Sequence, residues 1–288
     1  MHLRTDMAVE AKRLWDCDPE RKTQLHGVKA YEVASRGISA DIVEILDVEG
    51  EKALGKPIGR YITVDLSMAF HGEQNGFRNT CGVIADFVSE MLTGKENLLI
   101  VGLGNRRITP DRVGPCTIDH LLVTRHLKLA GETAFFAYPS VSAISPNVMA
   151  RTGMESASIV RALAEGIGAD AIVVVDALAS CEPQRLCKSV QISNTGLAPG
   201  SGVGNHRIAF SQESMGIPVI SIGVPTVVDG STFQILQKVP QEQICRGLLL
   251  STEDIDMKVV ELGRLIGYGI NLAIFPPLTL EDFPSLLS

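Results

Sequence analysis

Leu98-Leu-Ile-Val-Gly-Leu-Gly104 and Ala171-Ile-Val-Val-Val-Asp-Ala177 are the two stretches that decide the fold. Each is a short, unbroken apolar run, without the alternation of a strand that faces water on one side. Such runs suit parallel strands covered on both faces. Around them helical spacing takes over, with Val83, Ile84, Phe87, Val88, Met91 and Leu92 recurring at 3.6-residue spacing within 79–92. A helix is expected after Pro115, carrying Ile118, Leu121, Leu122 and Val123. Another is expected over 156–166, behind the capping-box spacing of Thr152 and Glu155. The last helix is expected from about Ser251, with Glu253, Asp254 and Asp256 where the helix dipole favours them. β-branched segments at 41–48 and 60–66, joined through Gly55-Lys-Pro57, and a run at 219–222 supply further strands. Strands alternating with helices predict an α/β fold, a three-layer sandwich about a central, largely parallel sheet.

Residues 1–30 are polar and show no clear period, so an arm rather than core is expected there. With no internal repeat, low-complexity tract or convincing linker, 1–288 reads as a single domain. A chain of this length buries roughly 75% of its unfolded surface. Its 26 basic and 33 acidic residues leave a net charge of −7, the opposite of what phosphate neutralisation demands, so nucleic acid is not the expected partner. Six cysteines occur without a C-x-x-C pair and without a secretory segment, and are read as reduced thiols in a soluble intracellular protein. The longest apolar stretch, 217–228, is too short to span a bilayer and contains Pro218, Gly223 and Pro225.

The chemistry gathers around two aspartates. Asp111 follows the first apolar run inside the glycine- and proline-rich segment 101–115, and Asp176 ends the second. In open parallel sheets, sites form beyond the carboxyl ends of the strands. Two carboxyl groups brought together there cannot both ionise cheaply, so one stays protonated while the other can act as a base on water. The plainer alternative is two unrelated caps, Asp111 on the helix after Pro115 and Asp176 on a turn. The richest glycine loop spans Gly196–Asn205, and its freed backbone amides can hold an oxyanion or a substrate main chain. It lacks the spacing of a nucleotide-binding P-loop, and Gly102-Leu-Gly104 lacks the third glycine of a dinucleotide fingerprint. His126 and His206 remain open as ligands or bases, no H-E-x-x-H occurs, and Glu155 is assigned to the capping box.

Taken in order, Val101-Gly-Leu-Gly-Asn105, Thr109-Pro-Asp-Arg-Val-Gly-Pro115, Leu122-Val-Thr-Arg-His-Leu127 and Val141-Ser-Ala-Ile-Ser-Pro146 form one series. Val175-Asp-Ala-Leu-Ala179, Gln191-Ile-Ser-Asn-Thr-Gly196, Pro199-Gly-Ser-Gly-Val-Gly-Asn205 and the run 216–229 continue it. This series closely resembles the germination (spore) protease family, and Thr5-Asp-Met-Ala-Val-Glu-Ala11 resembles its N-terminal signature. The resemblance implies an atypical aspartic endopeptidase, similar in fold to hydrogenase maturation proteases, that degrades small acid-soluble spore proteins in the cytoplasm of the germinating spore. It places the catalytic pair on Asp111 and Asp176; beside them Gly102, Gly104, Asn105, Gly200, Ser201, Gly202, Gly204 and Asn205 are expected to line the cleft and bind substrate. It further implies a homotetramer made as a zymogen, cut here between Asp6 and Met7 so that 1–6 is a short propeptide, with no metal, membrane or direct nucleic-acid partner. The sequence departs from the family at Asn194, where relatives carry Asp, at His206, where they carry Lys, and in a shorter segment after Asp229. A metal-dependent peptidase of the hydrogenase-maturation type, and a latent relative that binds spore proteins without cutting them, stay open as alternatives.

Overall fold

The computed structural model describes residues 5–18, 25–70, 75–201, 207–236 and 247–287. The strands are β1 (Val28–Ser35), β2 (Ile38–Ile45), β3 (Gly59–Asp65), β4 (Asn97–Gly102), β5 (Ser140–Ile144), β6 (Ala171–Ser180), β7 (Ser189–Ser193), β8 (Val219–Asp229) and β9 (Leu249–Leu250). They form one sheet in the order β1-β2-β3-β7-β8-β6-β4-β5, and β9 pairs with the far end of β8. The block β5-β4-β6-β8 is parallel, and it contains both apolar runs that open the sequence reading. From β8 outward, β7, β3, β2 and β1 add an antiparallel wing.

Helices cover both faces, as strands buried on two sides require. On one face Leu98, Ile100, Val173, Val175, Val190, Ile192, Ile220 and Ile222 pack in a single core. Against them lie α3 (Gly76–Met91), through Val83, Ile84 and Val88, and α6 (Ile255–Ile274), through Leu262, Leu265 and Ile270. Side chains of this size, fully buried, are worth roughly 1.5–3 kcal/mol each. Residues of the other parity form two separate clusters on the opposite face. Leu99, Val101, Ile172, Val174 and Val219 lie under α5 (Ser156–Ile167), through Ala157, Val160 and Ala164. Val43, Ile45 and Tyr61 lie under α1 (Ala8–Asp16) and α2 (Val48–Leu54), through Ala8 and Leu54. Between these two clusters, over β6, β8 and β7, that face carries Asp176, Ser221, Gly223 and Gln191, with the Leu178 side chain laid over Gly223.

Several boundaries differ from the sequence reading, each for a local reason. Residues 5–16 are not a free arm: Met7, Ala8 and Glu10 are fully buried. β1, also hidden in that polar segment, is an outer strand with mostly exposed side chains and so shows no alternation. Asp176 does not end its strand, since β6 runs on to Ser180, and β8 likewise runs seven residues past Ile222 to Asp229. The helix after Pro115 is α4 (Val113–Ile118), so Pro115 lies within its first turn. The capping box ahead of α5 does not form: Thr152 belongs to a separate short helix, Met149–Thr152, which Gly153 ends at φ +74°. Glu155 makes no cap bond and is free to face elsewhere. The helix expected from Ser251 begins at Ile255, four residues later, with Asp254 at its N-cap position, and a short helix, Phe283–Leu286, follows it.

Candidate active site

The chain leaves β4 at Gly102, makes the turn Thr109–Asp111 and enters α4 at once. At the start of this loop Leu103 N–H continues the parallel ladder, donating to the Val175 carbonyl at 2.8 Å and tying the loop to β6 one residue before Asp176. Gly104 makes the turn with φ +114°, and a Cβ there would stand 1.8 Å from the Asp111 carbonyl oxygen. No side chain fits that space. Gly104→Ala is therefore expected to displace Asp111, lowering the melting temperature and cutting peptidase activity roughly tenfold or more, as small misplacements of reacting groups do. A variant that melts and turns over like the wild type would remove Gly104 from the account.

Asp111 and Asp176 line one cleft of about 540 Å³, together with Gly104, Asn105, Phe210 and Gly200. Their surroundings are unequal. Asp111 is half-buried, and its Oδ2 accepts the Asn105 N–H at 2.8 Å. Burial raises its pKa to about 6, with the Asn105 bond pulling the other way. Asp176 is 5% exposed and, among the described residues, accepts only the Ala177 N–H, at 2.9 Å. Burial first, then the charge of Asp111, raises it well above the usual carboxylate range; Ala177 opposes the shift and the Asp6 charge adds to it. The two carboxyls thus sense each other, and the deeper one holds its proton more tightly.

The N-terminal segment enters the same cleft. Asp6 N–H donates to the Ala179 carbonyl at 2.9 Å, and its carboxylate accepts the Ala179 N–H at 2.8 Å and the Ser201 hydroxyl at 2.6 Å. Met7, beside it, is fully buried. Asp6, Leu178 and Phe210 separate the aspartate cleft from a second cavity of about 920 Å³, lined in part by Lys56, Tyr61, Gln191 and Gly223. Glu10, also fully buried, anchors α1: its carboxylate accepts the Cys181 N–H at 2.8 Å and the hydroxyls of Thr5 and Ser180.

Of the residues singled out in the sequence, Asp6, Gly104, Asn105, Asp111, Asp176 and Gly200 share this cleft, and Ser201 reaches it through Asp6. Gly102 does not line it; it lies beneath, with no room for a Cβ beside the Gly114 carbonyl. Gly202, Gly204, Asn205 and His206 fall outside the described residues. Glu155, assigned to a cap, instead lines the cleft and faces Arg207 at 3.5 Å, a partly solvated pair worth little in stability. Arg207 and Phe210 carry no motif of their own and could not be found from spacing; Leu178 lies within the Val175–Ala179 motif, which assigns it no role. Among the described residues no three His, Cys, Asp or Glu side chains converge in a metal-binding group, and no helix is long and apolar enough to cross a membrane.

The sequence pattern of the family described as germination protease matches residues 4–237. A germination protease of Caldanaerobacter subterraneus subsp. tengcongensis is 35% identical over 99% of this chain and 98% of its own. Another, of Clostridium perfringens, is 35% identical over 100% of this chain and 99% of its own. Among solved structures, a nickel–iron hydrogenase maturation protease of Thermococcus kodakarensis KOD1 aligns with 64% of this chain and 98% of its own, at 18% identity and a TM-score of 0.37. That likeness is too loose to bear on the chemistry. The two full-length relatives and the match over 4–237 are sufficient: the chain belongs to the germination protease family.

Proposed function

We propose that this peptidase is an endopeptidase in which Asp111 and Asp176 work as a base and an acid on one water molecule. What carries the reading is the inequality of the two carboxyls in a shared cleft. With a pKa of about 6, Asp111 is mostly ionised at neutral pH and can take a proton from water. Asp176, buried and facing that charge, keeps its proton. The water oxygen attacks the scissile carbonyl carbon while its proton passes to Asp111. Asp176 donates to the carbonyl oxygen as it gains charge. Collapse of the tetrahedral adduct breaks the C–N bond, the amine leaves with the proton from Asp111, and Asp176 recovers its own.

The substrate we assign is a small acid-soluble spore protein, cut in the cytoplasm of the spore by a homotetramer of single-domain chains; all of this follows the family resemblance. The chain's own Asp6–Met7 bond is assigned as a processing site, which the seat of Asp6 in the aspartate cleft supports. The test is incubation of the full chain with such a spore protein, with and without EDTA, with mass spectrometry of both proteins. Discrete fragments in both conditions, with loss of residues 1–6, are expected. Activity abolished by EDTA and restored by Zn²⁺ or Ni²⁺ would transfer the chemistry to a metal. Intact spore protein, and no self-release, even with a chain prepared without residues 1–6, would leave a binding protein.

A further inference from the structure

Gln191 lies on β7, 7% exposed, and belongs to no step of the reaction above. In the sheet register it faces Gly223 of β8, and Gly223 faces Asp176 of β6. Directly paired residues send side chains to the same face, so Gln191 and Asp176 stand in one row, two strand spacings or about 10 Å apart. Gly223 makes room between them for the Leu178 side chain, which a Cβ there would meet at 2.4 Å.

The N-terminal segment passes beside this row, and Gln191 holds it twice. Its Nε2 donates to the Asp6 carbonyl at 3.3 Å, and its Oε1 accepts the Ala8 N–H at 2.7 Å. A carbonyl at one position and the N–H two positions on are the pair that a parallel neighbouring strand would satisfy. The carboxamide thus replaces one residue of such a strand, and it reads main chain only, so it is indifferent to side chains. The carbonyl it grips is that of the Asp6–Met7 bond itself.

We infer that Gln191 is a substrate-positioning residue, whose carboxamide clamps the peptide main chain on both sides of Met7 and so fixes the Asp6–Met7 bond at the edge of the aspartate cleft, which Asp6 lines. This deepens the reading above and rests on it. Holding reacting groups in place contributes strongly to rate, and a clamp with two hydrogen bonds restricts both slide and tilt of the peptide.

The test uses the full chain and follows release of residues 1–6 by mass spectrometry in wild type, Gln191→Ala, Ala8→Pro and the double variant. Ala8 is the first residue of α1, where proline fits the helix and simply lacks the N–H. Met7 before it, at φ −84° and ψ 124°, already has the extended backbone that a following proline needs. Each single variant is expected to slow release roughly 3- to 10-fold, the effect of one neutral hydrogen bond or slightly more. The double variant is expected to be no slower than Gln191→Ala, because both changes remove the same bond. Gln191→Glu, of equal size, keeps the acceptor and loses the donor, and is expected to slow release to a similar degree. Effects that multiply, or a rate unchanged in Gln191→Ala, would overturn the clamp. Failure of the wild type to release residues 1–6 would overturn it too. Hydrolysis of an added spore protein by that same sample would then show whether the peptidase reading survives.

Discussion

Asp111→Asn and Asp176→Asn are each expected to lower turnover of a spore protein by roughly 10²- to 10⁴-fold, the range for removal of a general acid or base. The two losses should not multiply in the double variant, since each change disables the same proton circuit. Both substitutions preserve shape, and in Asp111→Asn the carboxamide oxygen can still accept the Asn105 N–H that orients the wild-type carboxylate. The pH profile separates the roles. Wild-type activity should rise through pH about 6 as Asp111 loses its proton, and should decline again on the alkaline side as Asp176 ionises. A residual rate above one tenth of wild type in either variant, on a substrate cut at the same bond, would sink the aspartate pair. An ascending limb near pH 4 would show that Asp111 is not the base.

The same substitution at Asp111 should make the protein more stable. Its folded pKa lies near 6 against an ordinary value of 3.8, so the native state binds this proton more tightly than the unfolded chain does. The sign follows directly. Below pH 3.8 both states are protonated and the carboxyl costs nothing; between 3.8 and 6 the unfolded chain ionises first and stability falls. Above pH 6 the full cost stands, at most about 3 kcal/mol for a shift of roughly two units. Asp111→Asn is thus expected to gain about 1–3 kcal/mol at pH 7–8 and nothing near pH 3.5, read from denaturant melts across that range. An equal gain at both ends would mean that the effect is not electrostatic. Such a trade of stability against activity is usual where a charge is held in a poor solvent for the sake of reaction.

The sheet's parallel centre and both aspartates were legible because their physics is local. Continuous Val, Ile and Leu announce a strand covered on two faces, and a carboxyl following such a run announces a cleft. The strand ends were not legible for a related reason. Asp176 interrupts an apolar run, so the eye stops there, whereas the backbone pairs on as far as Ser180 because the carboxyl itself is buried. Residues 5–16 misled in the same way: the anchor of α1 is Glu10, a residue type that is almost never fully buried unless paired. Its partners, Ser180 and Cys181, lie 170 residues or more away and leave no trace in local spacing. Glu155 shows the reverse error, because a short-range capping pattern concealed a residue of the cleft. Gln191 was visible within a motif, but its role depends on a register across three strands that no linear spacing records.

The buried carboxylate of Glu10 has one more consequence. Residues 5 and 6 are half-buried and tethered to the cleft by a handful of hydrogen bonds, while Met7 is fully buried and α1, immediately after it, is bolted to the end of β6 from within the core. Adjacent stretches of one chain therefore open at very different cost. The first few residues can swing out or be shed while the helix behind them stays as a fixed wall of the neighbouring cavity. Access to the aspartates is thereby uncoupled from the integrity of the sheet, and the molecule can be uncovered without beginning to unfold.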